Sequence, residues 1–388
     1  MTPPHEPVTP QPIAPSDSPA TAAEPRIERG TCFLLFAYDV GLAINLDEAQ
    51  RRISAIKQRD ELRHKRRAPY YFQYQPAPLR VTLSAPAVRI GEHITDTLVE
   101  AVLYDFGAIS VQYSIPLRCP LSALLPLSEG LYDNQPLLDD SRRVVETLFS
   151  ALKPAVTKAW IADLREDYAI YHIEELAPPT DLPGVVAGHA HLLAQILRAE
   201  RTPLSPQETE DALACQMSFS PEDRALIDWN ATLLFGREQD DVRAVLEFAN
   251  VELLEMRFLD DRLDDVLDQA YETSSRRSHS TVPFFRNKTA DLWRIAQLQT
   301  DSAVLYEGVN NALKLLGDQY LARVHRVVSQ RLHLNEWDQS ILRKLQTVES
   351  IYEKIADQNG NRRMEVLEWI IIILITLEIA WSVLGRAR

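Results

Sequence analysis

The sequence predicts an α+β protein: a ferredoxin-like mixed-sheet head, then long antiparallel or coiled-coil helices, then one C-terminal transmembrane helix. Three observations carry this expectation. Strand-like and helical runs alternate between residues 31 and 176, helical periodicity dominates from Asp240 onward, and Leu367 to Leu384 (LEWIIIILITLEIAWSVL) is a long apolar run. The implied divisions are a disordered Pro-rich tail at 1–29, a head at 30–238, a helical stalk at 239–363 and an anchor at 364–385.

At 388 residues the chain has room for two or three folded units. Its net charge of −14 argues against wholesale nucleic-acid binding. Cys32, Cys119 and Cys215 are far apart and form no metal-ligand spacing, which fits a reducing compartment. Residues 1 to 25 contain eight prolines and no apolar segment of the kind a signal peptide needs. That composition cannot bury a core, so it reads as a tether or a partner-binding tail.

Taken in order, Thr31 to Leu46 (TCFLLFAYDVGLAINL) predicts two strands about a turn at Tyr38-Asp39-Val40-Gly41. A helix follows from Asp47 to Leu62. Within residues 51–67, Arg51, Arg52, Lys57, Arg59, Arg63, Lys65, Arg66 and Arg67 oppose only Asp60 and Glu61, and Tyr70, Tyr71, Phe72 and Tyr74 come next. Basic side chains followed by aromatic ones suit phosphate contact and base stacking. Arg59, Arg63, Lys65, Arg66, Arg67, Tyr70 and Tyr71 therefore form a candidate surface for an RNA or ribosomal partner. Anionic lipid headgroups, or a solvated helix face leading into a Tyr-rich strand, are the competing readings.

Residues 79–85 alternate as a strand, and 97–115 read as two strands around Asp105-Phe106-Gly107. These three letters occur in kinases, but no Gly-rich loop, catalytic loop or strand lysine accompanies them. Tyr38-Asp39-Val40-Gly41, Tyr104-Asp105-Phe106-Gly107 and Ile227-Asp228-Trp229-Asn230 form a faint internal echo, each ending on a residue tolerant of positive φ. A helix at 139–161 with a kink at Pro154 and a strand at 166–174 complete the ferredoxin-like order. Helices are expected at 186–199 and 205–217, the second opened by Ser205 and Glu208 at capping-box spacing, with a strand at 224–235.

From Asp240 the pattern is helical: 241–273, then 289–333, then a third helix from Asn335 toward the C-terminus. In the third, Ile341, Leu345, Val348, Tyr352 and Ile355 form an a/d seam suited to a second copy of the chain. The eighteen residues from Leu367 to Leu384 make a helix of about 27 Å, near the roughly 30 Å of a bilayer core. Trp369 and Trp381 suit the two interfaces, Glu368 lies at the edge, and Glu378 is expensive inside unless it meets another helix. A buried core helix is the alternative. Lys344, Lys354, Arg362 and Arg363 outnumber Arg386 and Arg388, which points to a cytoplasmic head on a single-pass inner-membrane protein.

Catalytic signals are sparse. Asp260-Asp261-Arg262-Leu263-Asp264 matches D-D-x-x-D, whose stacked carboxylates suit a hard cation, yet no second acidic motif follows, and the solvated acidic face of an amphipathic helix is the better reading. There is no H-E-x-x-H, Walker A, G-x-G-x-x-G or G-x-S-x-G, so no catalytic residue, cofactor or metal is expected.

The run from Arg363 to Ile375 (RMEVLEWIIIILI) resembles the C-terminal signature of the Required for Meiotic Nuclear Division family, of RMD/Sif type, whose members share a domain of unknown function. Asp241 to Asn250, Phe258 to Asp264 and Tyr104 to Ile115 are similar to it as well. The resemblance implies a tail-anchored membrane protein that oligomerises, with no established activity. A eukaryotic member would sit at the mitochondrial inner membrane and support translation, but the Pro-rich start favours a bacterial inner membrane. The expected function is a non-enzymatic, membrane-tethered scaffold or adaptor that homo-oligomerises. The alternatives are an RNA- or ribosome-binding factor and, last, a divalent-metal enzyme at Asp260–Asp264.

Overall fold

The computed structural model describes residues 24–57, 76–178, 181–278, 300, 304, 306–307 and 319–351. At its centre lies β1 (Arg26–Asp39), one strand of 14 residues. Its two neighbours pair with it along nearly its whole length, β7 (Ala108–Leu117) on one side and β9 (Arg165–Ala177) on the other, both antiparallel. The sheet has eight strands in the order β10 (Gln216–Met217), β11 (Arg224–Ile227), β12 (Ala231–Phe235), β9, β1, β7, β6 (Leu98–Leu103), β3 (Leu79–Ser84). Only the β12–β9 pair is parallel. Two short ribbons lie apart from it: β2 (Ala43–Ile44) with β8 (Val156–Thr157), and β4 (Arg89–Ile90) with β5 (His93–Ile94).

Both faces of the sheet are covered, and side-chain parity divides them. Cys32, Leu34, Phe36 and Tyr38 of β1 point into one core with α1 (Leu46–Lys57), α2 (Leu124–Leu131), α3 (Gln135–Leu152) and α5 (Ala190–Arg198). Leu35 and Ala37 point to the opposite face, into cores shared with α7 (Asp240–Ser278), α8 (Gln319–Arg331) and the helix over 334–351. The helices begin where side chains satisfy their first N–H groups. Asn134 Oδ1 accepts from Leu137 N at 3.1 Å before α3, and Ser205 Oγ accepts from Glu208 N at 3.1 Å before α6 (Pro206–Ala212). Asp181 caps the short α4 (Leu182–Gly188) in the same way.

The fold is therefore mixed α+β with a large sheet, and the ferredoxin-like head is corrected. That fold stacks helices on one face of a small sheet, whereas this one has eight strands under helices on both faces. The helical region is also no free stalk. α7, 39 residues long, lies on β1, β7 and β9. Ile341 and Val348 of the expected seam are buried beside Leu259, Leu263 and Val266 of α7, so these apolar positions are used within the chain; Tyr352 and Ile355 lie outside the described residues.

The transmembrane, tail-anchored, inner-membrane assignment is corrected too. Among the described residues no helix is long and apolar enough to cross a membrane. The anchor expected at 364–385, with Glu368, Trp369, Glu378 and Trp381, lies outside them. An eighteen-residue, mostly apolar run that carries two carboxylates meets a length criterion, and length alone does not separate a bilayer span from a helix buried in protein.

Candidate functional site

The three echoing aspartate turns gather at one end of the sheet. Asp39 ends β1 opposite Ala108, the first residue of β7, and Tyr38 lies opposite Arg165, the first of β9. β12 starts beside Ala169 of β9, which brings the β11–β12 turn and Asp228 to the same end. The first two turns interlock. Val40 N donates to Gly107 O at 2.9 Å and Ile44 N to Asp105 O at 2.7 Å. Gly107 has φ +105, and a Cβ there would lie 1.7 Å from Gly41 O, so both backbone angle and space demand glycine.

Asp39 is an odd-numbered residue of β1, so it points to the α7 face, where it meets Glu255. Asp39 is 0% exposed and Glu255 2%. Trp160 Nε1 donates to Asp39 Oδ1, and the tryptophan is held by its own N–H to Val40 O at 3.1 Å. Its ring stacks on Phe258 at 6.0 Å, with the Arg262 guanidinium 5.2 Å above it. Burial pushes the Asp39 carboxyl above the ordinary range against the opposing pull of Trp160, Glu255 and Arg262. Burial, then the Asp39 charge, pushes Glu255 well above it. Asp105, half-buried in the neighbouring turn, is raised to about 6 by burial.

α7 buries two further glutamates. Glu247 accepts from Arg80 Nη2 at 2.8 Å and Ser110 Oγ at 3.0 Å, which ties the edge strand β3 and β7 to the helix. Its charge is the largest cause holding Arg80 above the usual guanidinium value. Glu252 lies 3.0 Å from His325 Nε2, and Ser329 Oγ lies 3.2 Å from His325 Nδ1. The residue types are those of a hydrolytic triad, but Ser329 stands one turn after His325 on α8, and Ser329 and Glu252 are both buried. The set reads as a bridge between α7 and α8. Glu166 at the start of β9 accepts from Arg257 of α7, and burial raises its carboxyl to about 7.

Asp228 joins the two helical layers. Arg331 of α8 reaches its Oδ1 through Nε at 2.6 Å and Nη2 at 2.5 Å. Arg198 Nε of α5, on the other face, lies 2.6 Å from Oδ2 without hydrogen-bond alignment, so that contact is coulombic. Both arginines also reach Asp211. Burial raises the Asp228 carboxyl above its ordinary value despite these cations.

Of the acidic motif, Asp260 and Asp264 come together around a lysine. Lys344 Nζ lies 2.8 Å from Asp260 Oδ1 and 2.6 Å from Asp264 Oδ1, while Asp261 is exposed. An ammonium holds the position a cation would take, and no group of three or more His, Cys, Asp or Glu among the described residues is arranged for a metal ion. Arg59, Arg63, Lys65, Arg66, Arg67, Tyr70 and Tyr71 lie outside the described residues. Sequence reasoning missed Glu247, Glu252, Glu255 and Trp160. The available signal was that residues 242–259 are apolar on every side of α7, so a glutamate among them has little chance of reaching water.

Residues 29–241 match a family described as "Uncharacterized protein MJ0711, N-terminal domain". One relative, the uncharacterized protein MJ0711 of Methanocaldococcus jannaschii, is 23% identical over 219 residues, which cover 55% of this chain and 65% of the relative. The match thus spans less than two thirds of that relative's length. No solved structure matches the chain. Neither finding points to the Required for Meiotic Nuclear Division family, and that resemblance is withdrawn. Its most specific string was a run of Ile and Leu, which recurs wherever a helix is apolar all round.

Proposed function

We propose, for a chain that belongs to the MJ0711 N-terminal domain family, a binding role without catalysis: an adaptor whose folded layers present residues 51–74 to an RNA partner. The observation that carries this reading is a local reversal of charge. Eight basic residues oppose two acidic ones within 51–67 of a chain whose net charge is −14, and four aromatics follow. α1, which carries the first residues of the run, packs on one face of the sheet through Ala49 and Ile53, and the edge strand β3 begins at Leu79. Phosphates would meet the basic side chains and bases would stack on the tyrosines.

The reading is also supported by where the polar chemistry goes. The Asp260–Asp264 carboxylates face Lys344, and the Glu252–His325–Ser329 set bridges two helices. The test is fluorescence anisotropy of a labelled single-stranded RNA with the full chain across a salt series. Binding is expected to weaken with salt by about 0.7 log units per log unit of salt for each phosphate contacted. Reversing Arg63, Lys65, Arg66 and Arg67 to Glu is expected to abolish it. Equal affinity in wild type and the fourfold variant rules this surface out.

A further inference from the structure

Asp39 and Glu255 close the joint between β1 and α7, and their facing oxygens lack donors. Trp160 supplies one N–H to Asp39 Oδ1. Asp39 Oδ2 and both oxygens of Glu255 are buried and receive no hydrogen bond among the described residues. Two carboxylates in that position would be adjacent buried anions with nothing to hold them together. With a proton on one of them, the same contact becomes an O–H donated from one carboxyl to the other. The charged groups around the joint do not remove this need. Arg262 of α7 is the cation that acts on Asp39. Arg257 of α7 is engaged with Glu166 of β9, and the nearest turn, β6–β7, adds a further carboxyl, Asp105, whose Oδ1 is also buried without a donor.

We propose that this joint is a proton-gated latch. Protonated, it fastens α7 to the end of β1. On giving its proton to solvent water it releases α7 from about Glu255 onward, with the helix over 334–351 that packs on that stretch through Ile341 and Val348. The first part of α7 stays seated, because Val242, Val245, Leu246 and Ala249 pack on the sheet in a separate core. The burial that raises both carboxyls also sets the direction. The folded pair binds more protons than the unfolded chain from the ordinary carboxylate range up to its own raised values. The latch is therefore fully closed in acid and loosens as pH rises through that window.

Hydrogen exchange of the full chain between pH 6 and 9, corrected for intrinsic rates, tests this. Amides of 255–266 are expected to show an opening constant that rises by up to about tenfold per pH unit, the limit for one linked proton. Amides of 242–249 should show no such rise. The double variant Asp39→Asn with Glu255→Gln keeps an acceptor for Trp160 and a permanent N–H across the joint and removes both titrating carboxyls, so its profile should be flat. Each single variant leaves one buried carboxyl that burial still raises, so its rise should move along the pH axis and persist. A flat profile in wild type overturns the proposal even if no variant folds. So does a double variant that keeps the wild-type slope.

Discussion

Asp228→Ala is the perturbation with the most clearly defined consequence. The carboxylate is fully buried and contacts Arg331 at 2.5 and 2.6 Å and Arg198 at 2.6 Å. Its Oδ1 also accepts from Trp229 N at 2.8 Å. Removing one partner of a buried ion pair costs about 3–5 kcal/mol, because the other charge is left desolvated. Here the arginines keep some compensation. Both retain Asp211, and Arg198 retains Glu208 at 2.8 Å. Those carboxylates are about half exposed and screened, so the cost should fall at the lower end, about 3 kcal/mol. Asp228→Asn keeps the acceptor for Trp229 but loses the charge and should cost about 2 kcal/mol. Urea unfolding is the assay: at a slope near 3 kcal/mol per molar, the alanine variant should unfold at about 1 M lower urea with the slope unchanged. A double-mutant cycle with Arg331→Met should show a coupling of about 1 kcal/mol or more. An alanine variant within about 0.5 kcal/mol of wild type, with no coupling to Arg331, would refute the view that this carboxylate ties the two layers together.

Two further outcomes are expected, beside the RNA-binding and hydrogen-exchange results given above. Lys344→Met leaves Asp260 and Asp264 as like charges one turn apart on a partly buried helix face and should lower stability by about 1 kcal/mol, measured by thermal melting; an unchanged melting temperature would show the three groups to be independent. Gly107→Ala forces a Cβ into Gly41 O at a positive φ and should cost about 3 kcal/mol or more, with Gly91→Ala, at φ +57 in open space, as the milder control.

The β6–β7 hairpin was readable because a glycine with positive φ sits between two apolar runs, and that turn lies where Asp105-Phe106-Gly107 predicts it. The Tyr38-Asp39-Val40-Gly41 turn ends β1 where the sequence places it, and the short β2 follows, but the two strands do not form a hairpin. Both edges of β1 are taken by β7 and β9, so β2 pairs with β8 instead. A central strand buried on both faces has no alternation, so CFLLFAY gives no register from which those partners could be read. The three echoing turns were visible as letters, but their assembly at one sheet end depends on the β1–β9 and β9–β12 pairings, which join segments far apart in sequence. The buried glutamates of α7 were hidden by the ordinary rule that charge faces water. That rule fails when a helix is the middle of a sandwich, with the sheet on one side and further helices on the other.

The central position of β1 also fixes an order of events during synthesis. β1 leaves the ribosome before either strand that will cover its edges, and β9 follows it by well over a hundred residues. At roughly 5–20 residues per second, the second edge stays open for on the order of ten seconds. From Thr31 to Asp39 the strand is apolar, β-prone and free of proline, which is the composition most prone to pair with a neighbouring nascent chain. The element that unifies the finished fold is thus its most hazardous segment while the chain is being made. Slowing translation between β1 and β9 should raise the demand for chaperones more than slowing it after β12, when both edges of β1 are closed.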